Sequence, residues 1–407
     1  MRNARKRIAL LIFLCFGLFA RGDSGSTVSS GPDLTVDLRQ FGYAYIPNGR
    51  VRFGYYLLWN RLVLLDNGTL AVSFFIADRS ASSGTSRKDS GTDYLFETLF
   101  LDATSGKFLR AQQWSKASPD CALFPVPGGR FVVRHGLDLT LHGPDGKTIK
   151  SATIDPRFPH WLEVRQSPSW KTLIATSVDA QGEHVLCLSS SDLQEIARFD
   201  LHGATGSGSD SYIGAVQRAE GRESPFVRPV GRTEVAAYGP ITGNPEVRRP
   251  ITVYKTNDPL FSPVVGFLDD QTLALTAGHT MEILNLSGDL LYVFRAGRAL
   301  VNGPTPCRDC DLVAFVTAIA KGGRSIFDTF YMPFRATEHQ VLILDRKTRN
   351  LVEVPSAGWV TKEVVEPGLA LAPDGCTFAH QADWRLEIYR ICGTQIGRQL
   401  SFQPPGW

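Results

Sequence analysis

A chain of 407 residues that is 43% hydrophobic and 20% charged holds enough apolar material for a large core, which excludes a disordered chain. Its formal charge is +3, and the first 22 residues contribute five basic side chains and no acid. Without that segment the charge is −2, and no basic field remains to argue for nucleic acid.

Residues 1 to 22 read as a secretory signal. Arg2, Arg5, Lys6 and Arg7 form a basic start, Ile8 to Ala20 is an apolar run, and Ala20-Arg21-Gly22 places small residues at a cleavage point. The run falls short of the roughly 20 apolar residues that a spanning helix needs. Export to a periplasm or the outside is therefore expected, with no stable membrane insertion after cleavage. Leu14 stands before Cys15 where a lipoprotein signal needs a small residue. Residues 23 to 56 follow as an N-terminal segment in which Leu34 to Tyr45 can add a ring-closing strand. Residues 57 to 407 form the repeated body.

That body is punctuated by one kind of turn. Asp66-Asn67-Gly68, Pro127-Gly128-Gly129, Ser169-Trp170-Lys171, Val230-Gly231-Arg232, Asp269-Asp270-Gln271, Arg308-Asp309-Cys310 and Asp374-Gly375 each follow one apolar run and precede another. The intervals between them are 61, 41, 61, 40, 39 and 65 residues. Three are close to the length of a four-stranded propeller blade, about 40 residues, and three look like the same unit with an insertion. Second strands such as Leu70 to Ile76, Thr172 to Ser177 and Thr377 to His380 are followed by third strands such as Phe96 to Leu101 and Val341 to Leu344. The predicted fold is all-β, a seven-bladed β-propeller of four-stranded antiparallel blades, with six or eight blades as alternatives. The fourth unit, Tyr212 to Tyr254, is the weakest, because its outer strand before Pro263 is short or absent. Gln399 to Phe402 or Leu34 to Tyr45 would close the ring.

The turns Pro144-Asp145-Gly146-Lys147 and Pro373-Asp374-Gly375, with the stretch Ser167-Pro168-Ser169-Trp170-Lys171-Thr172-Leu173-Ile174-Ala175, resemble WD40-like propeller repeats of the TolB type. The resemblance spans about residues 57 to 400, at turn positions only. It implies a fold and assigns no catalytic residue.

Linear motifs of chemistry are missing. Eight histidines are scattered with no HExxH and no close doublet, so no metal site is expected. There is no GxSxG elbow, P-loop or GxGxxG, and no cofactor is predicted. Cys307-Arg308-Asp309-Cys310 sits on a strand-to-strand turn, which favours a local disulfide over free thiols or a redox or metal pair. Cys376 and Cys392 flank a hairpin centred near residue 384 and are expected to face each other as a second disulfide. The pairing of Cys121 and Cys187 stays open.

The expected function is a non-catalytic module that binds an unknown protein or small-molecule ligand. The alternative is a propeller enzyme, a hydrolase, lyase or quinone-dependent dehydrogenase, with its site in the central funnel. In a four-stranded meander the turns from first to second and third to fourth strand share one face of the ring. The remaining connections share the other. The insertions Asp78 to Asp93, Gly239 to Arg249, Lys321 to Gln340 and Leu201 to Ser211 all fall on that second face. Phe327, Phe330, Tyr331, Phe334 and Arg335 in the longest of them are the candidate ligand contacts, since aromatics and arginine favour recognition.

Overall fold

In a computed structural model of the chain, the runs between turns become antiparallel strands, with one short 3-10 turn at Leu38–Phe41. The structure describes residues 31–41, 51–52, 62–77, 94–116, 121–154, 163–179, 182–202, 217–218, 226–229, 234–238, 252–255, 264–320, 337–355, 360–361, 368–382, 385–392 and 398–400. Among these, the strands make seven antiparallel sheets. Sheet one contains Leu62–Leu64, Thr69–Ala77, Tyr94–Asp102 and Phe108–Lys116. Sheet two runs from Ala122–Val126 to Thr148–Thr153, and sheet three from Glu163–Gln166 to Glu195–His202. Sheet four runs from Gln217–Arg218 to Thr252–Lys255, and sheet five from Val264–Phe267 to Leu290–Arg295. Sheet six opens with Leu300–Pro306, and sheet seven with Gly368–Leu371. The arrangement is a β-propeller of four-stranded antiparallel blades.

Successive sheets pack face to face, so their inner strands are apolar on both faces instead of alternating with polar residues. Leu70, Val72 and Phe74 of sheet one pack with Ala379, Leu386 and Ile388 of sheet seven. The intervening Ala71 packs with Phe131 and Val133 of sheet two. Similar cores join sheets two and three, four and five, five and six, and six and seven. First strands of neighbouring sheets adjoin around the axis, as with Gly368–Leu371, Leu62–Leu64 and Ala122–Val126.

Six sheets carry the expected series of four strands, and the irregular one is sheet four, the unit that the sequence reading singled out as the weakest. Tyr254 donates its hydroxyl to the carbonyl of Asn285, which ends the third strand of sheet five, at 2.8 Å. Thr252–Lys255 pairs with Glu234–Tyr238, which pairs in turn with Phe226–Pro229. No outer strand follows among the described residues. The fourth strand of this sheet is Gln217–Arg218, added beside Phe226–Pro229.

The two ends of the chain settle on different sheets. Leu34–Asp37 pairs with Arg385–Ile388 and supplies the outer strand of sheet seven. Asp33 adds its carboxylate, which accepts from the Arg390 amide at 2.6 Å. Arg398–Leu400, the other candidate for that position, pairs instead with Leu351–Glu353 on the outer edge of sheet six.

Candidate functional site

The aromatic and arginine contacts proposed from sequence, Phe327, Phe330, Tyr331, Phe334 and Arg335, lie outside the described residues, as do the bodies of the other three insertions. The base of the longest insertion is described. Leu312–Ala320 and Thr337–Asp345 pair up to Ala320 and Thr337, so the third strand begins four residues earlier than the apolar pattern predicted. Thr337, Glu338, His339 and Gln340 do not read as a strand, yet they continue a ladder whose partner strand is apolar. Val360–Thr361 pairs with Thr337 and Glu338 beside them.

Under this base, between sheets six and seven, lies a group of buried ionisable side chains. His380 and Glu387 are directly paired across neighbouring strands of sheet seven, and they are 1% and 0% exposed. His339 faces them from sheet six and is also buried. Arg385 Nε lies 2.6 Å from Glu387 Oε1, while the other carboxylate oxygen lies 2.7 Å from the Tyr389 hydroxyl. That hydroxyl is also 2.9 Å from the carbonyl of Pro355, and its single hydrogen serves one acceptor at a time. Burial pushes His339 down to about 4 and His380 down to about 3, the latter against the pull of Glu387. Both imidazoles are thus neutral at neutral pH, and Arg385 is the cation that faces Glu387. Burial alone would raise the Glu387 carboxyl, but the His380 imidazole 3.7 Å away, the bond from Tyr389 and the Arg385 charge outweigh this and hold it below the ordinary value.

His380 and Glu387 of this cluster are buried, and Arg385 is its member at the surface, with a side chain 43% exposed. Sequence reasoning missed the cluster because His380 and Glu387 meet only through hairpin register. The register pairs Thr377 with Arg390, half a residue from the predicted centre, so Cys376 aligns with Ile391 and not with Cys392. The disulfide still forms, with Cα atoms 4.6 Å apart. Cys307 and Cys310 are also bonded, with Cα atoms 5.4 Å apart, while Cys121 and Cys187 are buried. Among the described residues no group of histidine, cysteine and carboxylates is placed to hold a metal ion.

The opposite face is built from the short turns. Asp66 of sheet one accepts hydrogen bonds from the amides of Gly128, at 2.8 Å, and Gly129 of sheet two. Gln166 of sheet three donates to the carbonyl of Pro125 in sheet two at 2.5 Å. Arg165 reaches across the axis from sheet three to the carbonyl of Val265 in sheet five, 3.5 Å away. Arg308, on the turn of sheet six, lies 3.4 Å from the Asp66 carboxylate and 2.6 Å from that of Asp309. Its guanidinium carbon sits 4.6 Å from the ring centre of Trp170, on the turn of sheet three. Trp170 has φ 66°, the left-handed region that Gly68, Gly129 and Gly375 take in the corresponding turns. For a residue with a Cβ this costs about 1–2 kcal/mol.

No protein-family model matches this sequence, and neither does any curated protein sequence. The fold does have solved counterparts. A chain of the mitotic checkpoint complex crystal structure is 13% identical, with a TM-score of 0.50 over 91% of this chain and 95% of that one. The β-propeller domain of Myceliophteria thermophila Cps50 (Swd1) is likewise 13% identical, with a TM-score of 0.50 over 89% of this chain and 99% of that one. At such identity the likeness is one of fold, and in its fold the chain is similar to WD40-type β-propellers.

Proposed function

We propose that the protein is an exported, seven-bladed propeller of TolB-type repeats that binds a protein or small-molecule ligand on its loop-rich face, without catalysis. The contrast between the two faces carries this reading. On one face, short turns are tied together across sheets by Asp66, Gln166 and Arg308. On the other lie described strand ends, such as Ala77 and Tyr94 or Ala320 and Thr337, from which the insertions continue, and long loops on a rigid scaffold commonly serve recognition. The seven sheets and the shared cores between successive sheets support the blade count, with sheet four as an incomplete member. Two disulfides support an oxidising destination. The deep burial of His380 and Glu387 favours binding over an enzyme built on them.

The test replaces residues 321–336 by a short Gly-Ser turn and incubates both proteins with an extract of the exported fraction of the source cells. Bound species are read by native mass spectrometry, and cross-links are mapped on the protein. The expected result is an adduct on the parent protein, cross-linked to the loop-rich face and lost in the variant at unchanged melting temperature. An adduct that survives loop replacement, with its cross-links at Lys107, Lys147 and Lys347 on the turn face, overturns the reading.

A further inference from the structure

Propeller blades surround a central channel, and the contacts of Arg308 show what stands at one of its mouths. The residue starts from sheet six yet touches Asp66 on sheet one and the indole of Trp170 on sheet three. A side chain that spans from sheet six to sheet three does so by lying across the opening. Its own exposure is only 14%, so the neighbours it reaches also cover it.

Arg308 stands at this point because its turn is clamped. Cys307 and Cys310 close a loop whose two inner residues are Arg308 and Asp309. Cys307 is buried, and the Asp309 amide donates to the carbonyl of Pro373 in sheet seven at 3.0 Å. Cys310 Sγ packs closely on Gly375 of sheet seven, where a Cβ would lie 2.5 Å from it. Trp170 keeps a conformation that its counterparts meet with glycine, and its ring is the surface on which the guanidinium rests.

We propose that the Cys307–Cys310 disulfide is a redox latch holding Arg308 as a plug across the turn-face mouth of the channel. A thiol or dithiol reductant supplies two electrons and two protons. The S–S bond breaks, two thiols form, and the reductant leaves as its own disulfide. The turn backbone keeps its bonds from the Cys307 amide to Leu312 and from the Asp309 amide to Pro373, but the Arg308 side chain is then held across the mouth by the 3.4 Å ion pair with Asp66 and the contact with Trp170, and the plug opens. This holds whichever face binds the ligand.

Acrylamide quenching of tryptophan fluorescence tests it. The protein has seven tryptophans, so the Trp170 signal is the difference between the parent and W170F. The expected result is a shielded Trp170 in the oxidised protein that becomes more quenchable in dithiothreitol. The C307S/C310S variant should be equally quenchable without reductant, and C376S/C392S should respond to dithiothreitol as the parent does. R308A sets the signal of an open mouth, and R308K, which keeps the charge but not the flat stack, replaces it if R308A does not fold. If C307S/C310S and reduced protein stay as shielded as oxidised protein, the latch is refuted. If the Arg308 variants also leave Trp170 shielded, the plug is refuted with it. Loss of far-UV circular dichroism on reduction makes the pair a structural staple and overturns the switch, as does a C376S/C392S variant that no longer responds.

Discussion

His339 and His380 are kept neutral by burial, and the sign of the resulting pH dependence follows. Their proton affinity is lower in the folded protein than in the unfolded chain, where the imidazole value is near 6.5. Stability is therefore complete above about pH 6.5 and is lost as pH falls toward the folded values. Glu387, held low in the fold, acts in the same direction at more acid pH. For His339 the displacement to about 4 corresponds to at most about 3 kcal/mol. Urea midpoints measured at pH 7, 5.5 and 4.5 should fall steadily in the parent protein and more shallowly in H339N. Equal slopes would remove His339 from the account. Two glycines give a second comparison at this scale. Gly68 and Gly375 both have positive φ, but a Cβ at Gly68 meets nothing within 4 Å, whereas one at Gly375 meets Cys310. G68A should cost about 1 kcal/mol for its backbone alone, and G375A clearly more, about 2–3 kcal/mol, because the sulfur must also shift. Thermal denaturation of the two variants decides this. Glycine at such turns was legible in the sequence. Trp170 in the same conformation was not, because its context gives only Ser-Pro-Ser-Trp-Lys and the reason for the ring lies on a distant turn.

Strands and turns were the most legible level, since Asp and Gly at the turns and apolar runs between them are local signals. What escaped was pairing between distant segments. The composition of Arg398–Leu400 and Leu34–Asp37 does not say which edge each strand joins, and the structure gives them to neighbouring sheets. Unequal consequences follow for the two ends. Deleting residues 23–37 uncovers the edge of Arg385–Ile388 and removes Val36, which is buried with Leu70 and Leu386 in the core between sheets seven and one. Such a variant should aggregate or melt far below the parent. Deleting residues 398–407 removes a three-stranded-residue addition to a sheet already four strands wide, and the loss of melting temperature should be much smaller. A larger loss from the C-terminal deletion would reverse this assignment of ring closure.

Across the whole molecule, the cores lie between sheets and not within them, so no sheet has a core of its own. Phe131 stands in the core between sheets one and two, and Phe315 in that between five and six, both fully buried. F131A and F315A should each cost about 3–5 kcal/mol while leaving one denaturant transition with an unchanged slope. Two separated transitions in either variant would show that the ring melts in parts. The candidate site was the least legible of all, since His380 and Glu387 meet only through the register of their hairpin, and His339 joins them from the neighbouring sheet.

The pairing that completes sheet seven also sets a timetable. Asp33 and Arg390, bonded in the finished molecule, are 357 residues apart in the chain. A polypeptide that crosses a membrane from its N-terminus delivers Leu34–Asp37 among the first of its strands, and the edge it needs among the last. Until then that strand has no partner within the molecule and is open to pairing with another chain. The extra entropy of so long a closure grows only slowly with length, so the delay is chiefly one of waiting for the partner to emerge. On the export route proposed above, the yield of folded protein is thus expected to depend on a holding factor, or on a crossing fast enough to shorten the wait.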